Sequence, residues 1–360
     1  EADGSWMFVN LVFPGRIVTA KVWKLMVGTI PLYLLDTDVE ENKEEDRSLT
    51  HNLYGGDKEH RLKQELLLGF GGIRLLKKLN INPDVYHSNE GHSAFIGIER
   101  IRQMIETQRL DYNAAFEVVR ASTLFTTHTP VPAGHDKFKE DLLRVYLGHY
   151  PNYLGIDWET FIGLGRANVN DKNEEFSMSI LATNMSREVN GVSRLHGRVS
   201  REMFQSMYPA YFTNEINIGY VTNGVHYHTW TDEIWKNTYR KAFGENFEKE
   251  QTLAEHWEKI YQVSDKEIWD NRLKAKEKLF SEVLKKFDTN LNYYQNNPKV
   301  LLKLRNNLKG NALIFGFARR FATYKRATLL FTNLDRLEAI VSNPERPVLF
   351  LFAGKAHPKD

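Results

Sequence analysis

One unit recurs along the chain and limits the fold more than any other feature: a short apolar run, then a polar loop, then a stretch with helical periodicity. Pro83-Asp-Val-Tyr86 reads as a strand, and His87-Ser-Asn-Glu-Gly-His92 turns into a helix from about Ser93 to Arg109. Tyr112 to Arg120 reads as helix, Ser122-Thr-Leu-Phe-Thr126 as strand, and Thr127 to His135 as loop. Ala312 to Phe317 opens another unit, with a basic loop, a helix from Ala327 through about Ile340, and a strand at Val348 to Phe352. Strands that alternate with helices in this way form a mostly parallel sheet covered by helices, an α/β fold. Ligands of such sheets bind outside the carboxyl ends of the strands.

The intervening segments fill in the organisation. Arg16 to Asp36 is rich in apolar and β-branched residues and predicts strands. Asp36 to Asp46 is acidic and predicts a solvated loop, because a calcium loop needs a glycine at its sixth position and a closing glutamate. A helix starting near Lys58 is interrupted by Gly69-Phe-Gly-Gly72, where no Lys-Ser/Thr follows to make a phosphate loop, so close helix packing is expected. Residues 140 to 205 read as mainly helical. Ile218 to Val221 is a short strand, and residues 232 to 308 read as a charged helical connection between domains.

Length and composition set outer limits. A chain of 360 residues predicts two domains. The net charge of +2 gives no reason to expect nucleic acid or an anionic membrane as partner. No cysteine is present, so disulfides and thiolate metal sites are excluded, which fits the cytosol. No apolar run approaches the ~18 residues a membrane span needs. The abrupt start at Glu1 and the stop at Asp360, soon after an apolar run, read as ends cut from a longer protein.

Polar side chains collect after the predicted strands. Asn89, Glu90 and His92 follow the first, Thr127 and His128 the second, Asn223 the third, Arg320 and Lys325 the fourth, and Gly354 and Lys355 the fifth. In one sheet these ends would line one crevice. Phe317-Ala-Arg-Arg-Phe-Ala-Thr-Tyr-Lys-Arg-Ala327 carries four cations, Arg319, Arg320, Lys325 and Arg326, at a strand-to-helix junction, a ready anion site. Each cluster alone has a plainer reading, as a turn cap, a core histidine or a solvated basic face. A metal site from His87, Glu90, His92, His128 and His135 lacks the required spacing, and no Gly-x-Ser-x-Gly elbow marks a serine hydrolase. Asn, His and Glu suit sugar hydroxyls, while an Arg-Lys pair suits phosphate.

Seven segments carry a resemblance to a known family: His60-Arg-Leu-Lys-Gln-Glu65, Asn89-Glu-Gly-His92, Thr127-His-Thr129, Val189-Asn-Gly-Val-Ser-Arg-Leu-His196, Thr222-Asn-Gly224, Arg320-Phe-Ala-Thr-Tyr-Lys-Arg326 and Phe352-Ala-Gly-Lys-Ala356. In this order they resemble the α-glucan phosphorylases, which act on glycogen, starch and maltodextrin. Leu34-Leu-Asp-Thr-Asp-Val-Glu-Glu-Asn42 and Asn52-Leu-Tyr-Gly-Gly-Asp57 look like the shorter bacterial branch. The resemblance implies two Rossmann-like domains of glycosyltransferase-B architecture, both incomplete here. The expected division is 1–235 for the glucan-binding domain, 236–308 for the helical connection and 309–360 for the start of the phosphate and cofactor domain. It implies retaining phosphorolysis of α-1,4-glucan or maltooligosaccharide by inorganic phosphate, giving glucose 1-phosphate, in an allosteric cytoplasmic enzyme of open oligomeric state. Inorganic phosphate then protonates the leaving oxygen and captures the glucosyl cation, and pyridoxal phosphate is the cofactor whose phosphate group relays the proton.

By the same resemblance, His128 binds the 6-hydroxyl of the transferred glucose and turns its backbone carbonyl toward the oxocarbenium. Asn223 binds glucose hydroxyls, Arg320 and Lys325 hold the substrate phosphate, and Asn89, Glu90 and His92 border the glucose pocket. The family often has Asp where this chain has Glu90. Arg319 and Arg326 return to surface or packing roles, and those of Asp57, His226 and His228 stay open. The lysine that forms the Schiff base is expected beyond Asp360, so the isolated chain is expected to be inactive. Two other readings compete: a sugar-nucleotide-dependent glucan synthase, which would need a Lys-x-Gly-Gly loop and a paired glutamate motif, and a non-catalytic glucan-binding fragment.

Overall fold

Alternation builds the first sheet. In β1 (Phe8–Phe13) Val9, Leu11 and Phe13 are buried while Asn10 and Val12 face solvent, as a half-buried strand requires. It pairs antiparallel with β2 (Arg16–Val27), which pairs antiparallel with β3 (Ile30–Asp36). The sequence reading found β2 and β3 but not β1. In a computed structural model the chain is described over residues 5–52, 56–131, 134–289 and 312–356, with 299, 302, 306 and 308. It divides into two units, Glu1–Gly224 and Val225–Asp360. The Asn/Tyr patch Asn290 to Asn297 lies outside the described residues.

The second sheet of the first unit is parallel. β4 (Tyr86–Asn89) pairs with β5 (Thr123–Thr126). A two-residue antiparallel ribbon follows, β6 (Lys137–Phe138) with β7 (Phe176–Ser177). β8 (Glu188–Gly191) and β9 (Ile218–Tyr220) complete the order β4-β5-β8-β9. The core packs against it through one face of each crossover helix. Phe95, Ile98 and Ile101 of the helix Phe95–Gln108 are fully buried, as are Ala115 and Val119 of the helix Tyr112–Ala121. Their spacing of three or four residues keeps them on one side of the helix. Each large side chain so buried contributes roughly 1.5–3 kcal/mol.

Three sequence expectations are corrected. The glycine cluster does not interrupt its helix. Leu67–Gly71 forms a π-helical turn continuous with Lys58–Leu66 and Gly72–Lys78. Close packing does explain Gly69, where a Cβ would lie 2.6 Å from the Cβ of Phe95. The acidic loop is not wholly solvated. Asp46 is 1% exposed because Arg16 meets it with two bonds, Nε to Oδ2 at 2.6 Å and Nη2 to Oδ1 at 2.8 Å. The strands carrying the five polar clusters belong to two sheets, one in each unit, and not to one sheet. Residues 140 to 205 are mainly helical, as expected, with β7 and β8 among their helices.

In the second unit, the helices Glu233–Phe243, Ala254–Glu258 and Asp265–Thr289 precede a two-stranded parallel sheet. Tyr227, Phe243 and Phe247 form a small core with Tyr239 packed on it. β10 (Leu313–Ala318) and β11 (Val348–Ala353) pair in parallel from Leu313 with Val348 to Ala318 with Ala353. The helix Leu334–Val341 connects them.

Candidate functional site

In the first unit, four strand ends bring the polar clusters to one edge of the parallel sheet. The backbone holds these ends together. Glu90 donates its N–H to Thr126 O at 2.9 Å, Thr127 to Asn190 O at 3.0 Å, Val221 to Gly191 O at 2.9 Å and Asn223 to Val192 O at 3.1 Å. A side-chain relay runs beneath them. His87 Nε2 lies 2.7 Å from Thr126 Oγ1, which donates to Asn190 Oδ1 at 3.0 Å. Asn190 is therefore satisfied although it is buried in the sheet.

The predicted sugar-binding residues take different positions at this edge. Asn89, at the end of β4, and Asn223, after β9, are exposed, while Glu90, His92 and His128 are half-buried. His92 lies in the 3-10 turn Gly91–Ser93. His128 donates its backbone N–H to Glu90 Oε1 at 2.5 Å, and Thr129 Oγ1 donates to the same oxygen at 2.9 Å. Among the described residues, the buried atoms His128 Nε2, His135 Nε2 and Thr127 Oγ1 have no hydrogen-bond partner. A buried polar atom left unpaired costs about 1–3 kcal/mol and asks for a ligand or water.

The structure adds residues to which the sequence assigned no role. Arg61 and Glu65 lie on the helix Lys58–Leu66, and Arg61 Nη2 donates to Glu65 Oε1 at 2.9 Å and to Asp136 Oδ2 at 2.8 Å. The i,i+4 spacing of Arg61 and Glu65 was a readable signal, but Asp136 is far away in sequence. Burial, then the negative charge of Asp136, pushes the Glu65 carboxyl well above the usual range. Burial alone would raise Asp136 too, but its hydrogen bond to Arg61 and the charge of that guanidinium outweigh burial and lower it. Burial, then the positive charge of Arg61, lowers His92 against the opposing pull of Glu90. His135 is lowered by burial, again opposed by Glu90. Its Nδ1 lies 2.5 Å from Ser179 Oγ. Among the described residues no group of three or more His, Cys, Asp or Glu side chains could hold a metal ion.

Three residues of open role have local duties. Asp57 caps the helix Lys58–Leu66 by accepting from His60 N at 2.9 Å. His226 caps Tyr227–Trp230 through Thr229 N. His228 Nε2 lies 3.5 Å from Glu248 Oε2.

In the second unit, the basic stretch follows β10, but its surroundings differ from the expectation. No α-helix starts at Ala327. Thr323–Lys325 and Ala327–Phe331 are 3-10 turns, and Arg326 between them has φ +53. A left-handed residue breaks the helical path, and the helix begins only at Leu334, capped by the Asn333 side chain on Arg336 N at 3.0 Å. Side chains, not a helix terminus, must therefore supply the positive charge. Among the described residues no carboxylate pairs with Arg319, Arg320, Lys325 or Arg326. Lys325 is half-buried with its Nζ 5.6 Å from the Tyr324 ring centroid. The loops after β10 and β11 touch. Phe321 donates its N–H to Lys355 O at 2.9 Å and forms a parallel bridge with Ala356.

These features define an α/β protein with satisfied strand-end turns, with buried polar atoms that lack partners among the described residues at the strand ends of the first unit, and with cations after β10 that meet no carboxylate among the described residues. Comparison with known proteins makes the class specific. Residues 38–360 match the carbohydrate phosphorylase family, and the chain belongs to that family. It is 41% identical over 99% of its length to the maltodextrin phosphorylase of Thermococcus litoralis, covering 41% of that protein. It is 37% identical to the glycogen phosphorylase of Mycobacterium tuberculosis, over the whole chain and 42% of the relative. It is 35% identical to that of Aquifex aeolicus, over the whole chain and 51% of the relative. The chain thus spans about half the length, or less, of these relatives. Among the described residues no helix is long and apolar enough to cross a membrane.

Proposed function

We propose that the protein, at its full natural length, cleaves α-1,4-glucan with inorganic phosphate and releases glucose 1-phosphate with retention. The observation that carries the reading is the unfilled valence at the strand ends. Buried hydrogen-bonding atoms there in the first unit (His128 Nε2, His135 Nε2, Thr127 Oγ1), without partners among the described residues, suit sugar hydroxyls. Cations after β10, without carboxylate partners among the described residues, suit phosphate. The names of the relatives, a maltodextrin phosphorylase and glycogen phosphorylases, support the same substrates.

On this reading His128 and Asn223 bind the transferred glucosyl group, Asn89 and His92 border it, and Arg320 and Lys325 hold phosphate. His128 also turns its backbone carbonyl toward the developing cation. The cations fit a phosphate-bearing group in charge, pyridoxal phosphate included, with its Schiff-base lysine expected beyond Asp360. When bound, that cofactor supplies a phosphate group able to exchange protons beside the substrate phosphate. The cations offset the repulsion between two such groups. The two-domain glycosyltransferase-B plan, with its boundaries near 235 and 308, a cytoplasmic location and allosteric control belong to the same proposal.

The test is glucose 1-phosphate release from maltoheptaose and phosphate by the full-length protein, repeated with Lys325→Ala. The variant is expected to lose at least about 10²-fold in kcat/KM for phosphate, as when one charge-stabilising donor is removed. Unchanged turnover would refute the phosphate role.

A further inference from the structure

We infer that Glu90 is a positioning residue that fixes His128, and not a ligand of the sugar. The inference rests on the proposed function only in taking His128 as a sugar contact. The backbone gives the first sign. Glu90 has φ 67 and ψ 170, a conformation that side-chain-bearing residues rarely adopt. Such strain persists where the surroundings over-determine it and clusters at functional sites. Three hydrogen bonds of Glu90 cross the gap between the ends of β4 and β5, beside a local one from Ser93 Oγ to its carbonyl oxygen at 3.3 Å. Its N–H donates to Thr126 O at 2.9 Å. Its Oε1 accepts from His128 N at 2.5 Å and from Thr129 Oγ1 at 2.9 Å.

The consequence falls on His128. Thr127, just before it, is held by its own N–H on Asn190 O at 3.0 Å. His128 and Thr129 are held by Glu90. The backbone is thus pinned on both sides of a side chain whose Nε2 is buried and unfilled among the described residues. Oε1 of Glu90 already accepts two bonds, so a sugar hydroxyl at that oxygen would compete with the loop, while Oε2 takes no part in the clamp. A carboxylate is the stronger acceptor for such bonds, which explains a charged group beside His92 and His135.

The experiment uses the protein at full natural length, with Glu90→Ala, Glu90→Gln, His128→Ala and the double variant Glu90→Ala/His128→Ala. Initial rates of glucose 1-phosphate release give kcat and KM for maltoheptaose. Deuterium uptake of the peptide covering 126–131 reports the loop directly. Positioning predicts that Glu90→Ala lowers kcat about 10²-fold, the size of an ~1 Å misplacement, with KM changed less than threefold. Glu90→Gln, which keeps a carbonyl acceptor of roughly half the strength, should lose about tenfold. Uptake at 126–131 should rise in both, more in Glu90→Ala, and the double variant should be no slower than His128→Ala. A direct sugar ligand predicts the opposite: KM raised alike in both single variants, wild-type uptake, and additive losses in the double variant. That pattern would overturn the inference. If Glu90→Ala fails to fold, Thr129→Val removes one donor from the same oxygen, and unchanged uptake with unchanged kcat would count against the clamp. A wild type that releases no glucose 1-phosphate would defeat the proposed function, while the uptake comparison would still decide the clamp.

Discussion

Gly354→Ala gives the sharpest test of the phosphate-binding assignment. Gly354 directly follows β11, and a Cβ there would lie 2.0 Å from the carbonyl oxygen of Arg319, 3.0 Å from its carbon and 3.2 Å from Phe321 Cε2. Cβ atoms do not approach backbone oxygens closer than roughly 3 Å, so the loop after β10 must move away by about 1 Å in a close-packed setting. Its tie to the β11 loop, Phe321 N to Lys355 O at 2.9 Å, resists that movement. Overpacking of this kind costs typically about 1–3 kcal/mol. Arg320 is the next residue along from the displaced carbonyl, and a misplacement of about 1 Å in a binding site costs on the order of 10²-fold. In the full-length protein, KM for phosphate should therefore rise between about 10-fold and 10²-fold. Affinity for maltoheptaose, measured without phosphate, should stay near wild type, because its proposed ligands lie in the first unit. Initial rates against phosphate at saturating maltoheptaose, with thermal unfolding alongside, supply both numbers. A phosphate KM within twofold of wild type would refute the argument. Arg320→Ala would then say which step failed: a raised KM there would leave the phosphate role standing and fault the loop contact.

Two further predictions concern buried charge. Glu99 is fully buried and meets Arg74 Nε at 2.9 Å and Arg102 Nη2 at 2.8 Å. Burial would raise its pKa, but the hydrogen bonds and charges of Arg102 and Arg74 outweigh it and lower the group. Glu99→Leu, which strands two partly buried guanidinium groups, should cost about 3–5 kcal/mol in urea unfolding, and a loss below about 1 kcal/mol would contradict the ion-pair reading. The lowered pKa contributes stability above the ordinary value near 4.5, lost as pH falls through the folded value; the variant should lack that component of acid sensitivity. Glu65 has the opposite sign. Its raised pKa contributes stability that is full below the ordinary value near 4.5 and lost as pH rises through the folded value. Glu65→Gln, a neutral match for the protonated acid, should flatten the decline in stability as pH rises above the ordinary value near 4.5, and identical slopes for variant and wild type would defeat the assignment.

Much of the two parallel sheets could be read from the sequence, because β5, β9, β10 and β11 are short runs with apolar residues and polar ends, whereas β4 lies at Tyr86–Asn89 and meets the expected strand Pro83 to Tyr86 only at its last residue. β8 could not. Glu188-Val-Asn-Gly191 has one large apolar residue, yet Asn190 is buried because Thr126 Oγ1 and the backbone fill its valence. That partner is 64 residues away, so no local pattern announces it. Asp46 is the same case, a charge in an acidic run that is buried only because Arg16 reaches it. The 3-10 turns after Lys325 were misread as helix because Ala327-Thr-Leu-Leu-Phe331 has helical composition. The left-handed Arg326 that redirects the chain carries no compositional mark.

The same logic separates two kinds of residue inside the family segments. A motif states which side chains occupy a place, but not whether their hydrogen-bonding capacity is already spent. His196 Nδ1 accepts from Val192 N at 3.2 Å and helps to turn β8 into the helix Arg194–Met203, while its buried Nε2 has no partner among the described residues. Glu90 Oε1 is taken by the His128 loop, and Asp57 by a helix start. His128 Nε2 and Thr127 Oγ1 remain unfilled among the described residues. Unspent valence is what a substrate can claim, because a buried group left without a partner gains most from a ligand. By that criterion His128 keeps its proposed contact with substrate, while Arg320, exposed, and Lys325, half-buried, keep theirs on charge. Glu90 moves from the substrate to the frame that holds it.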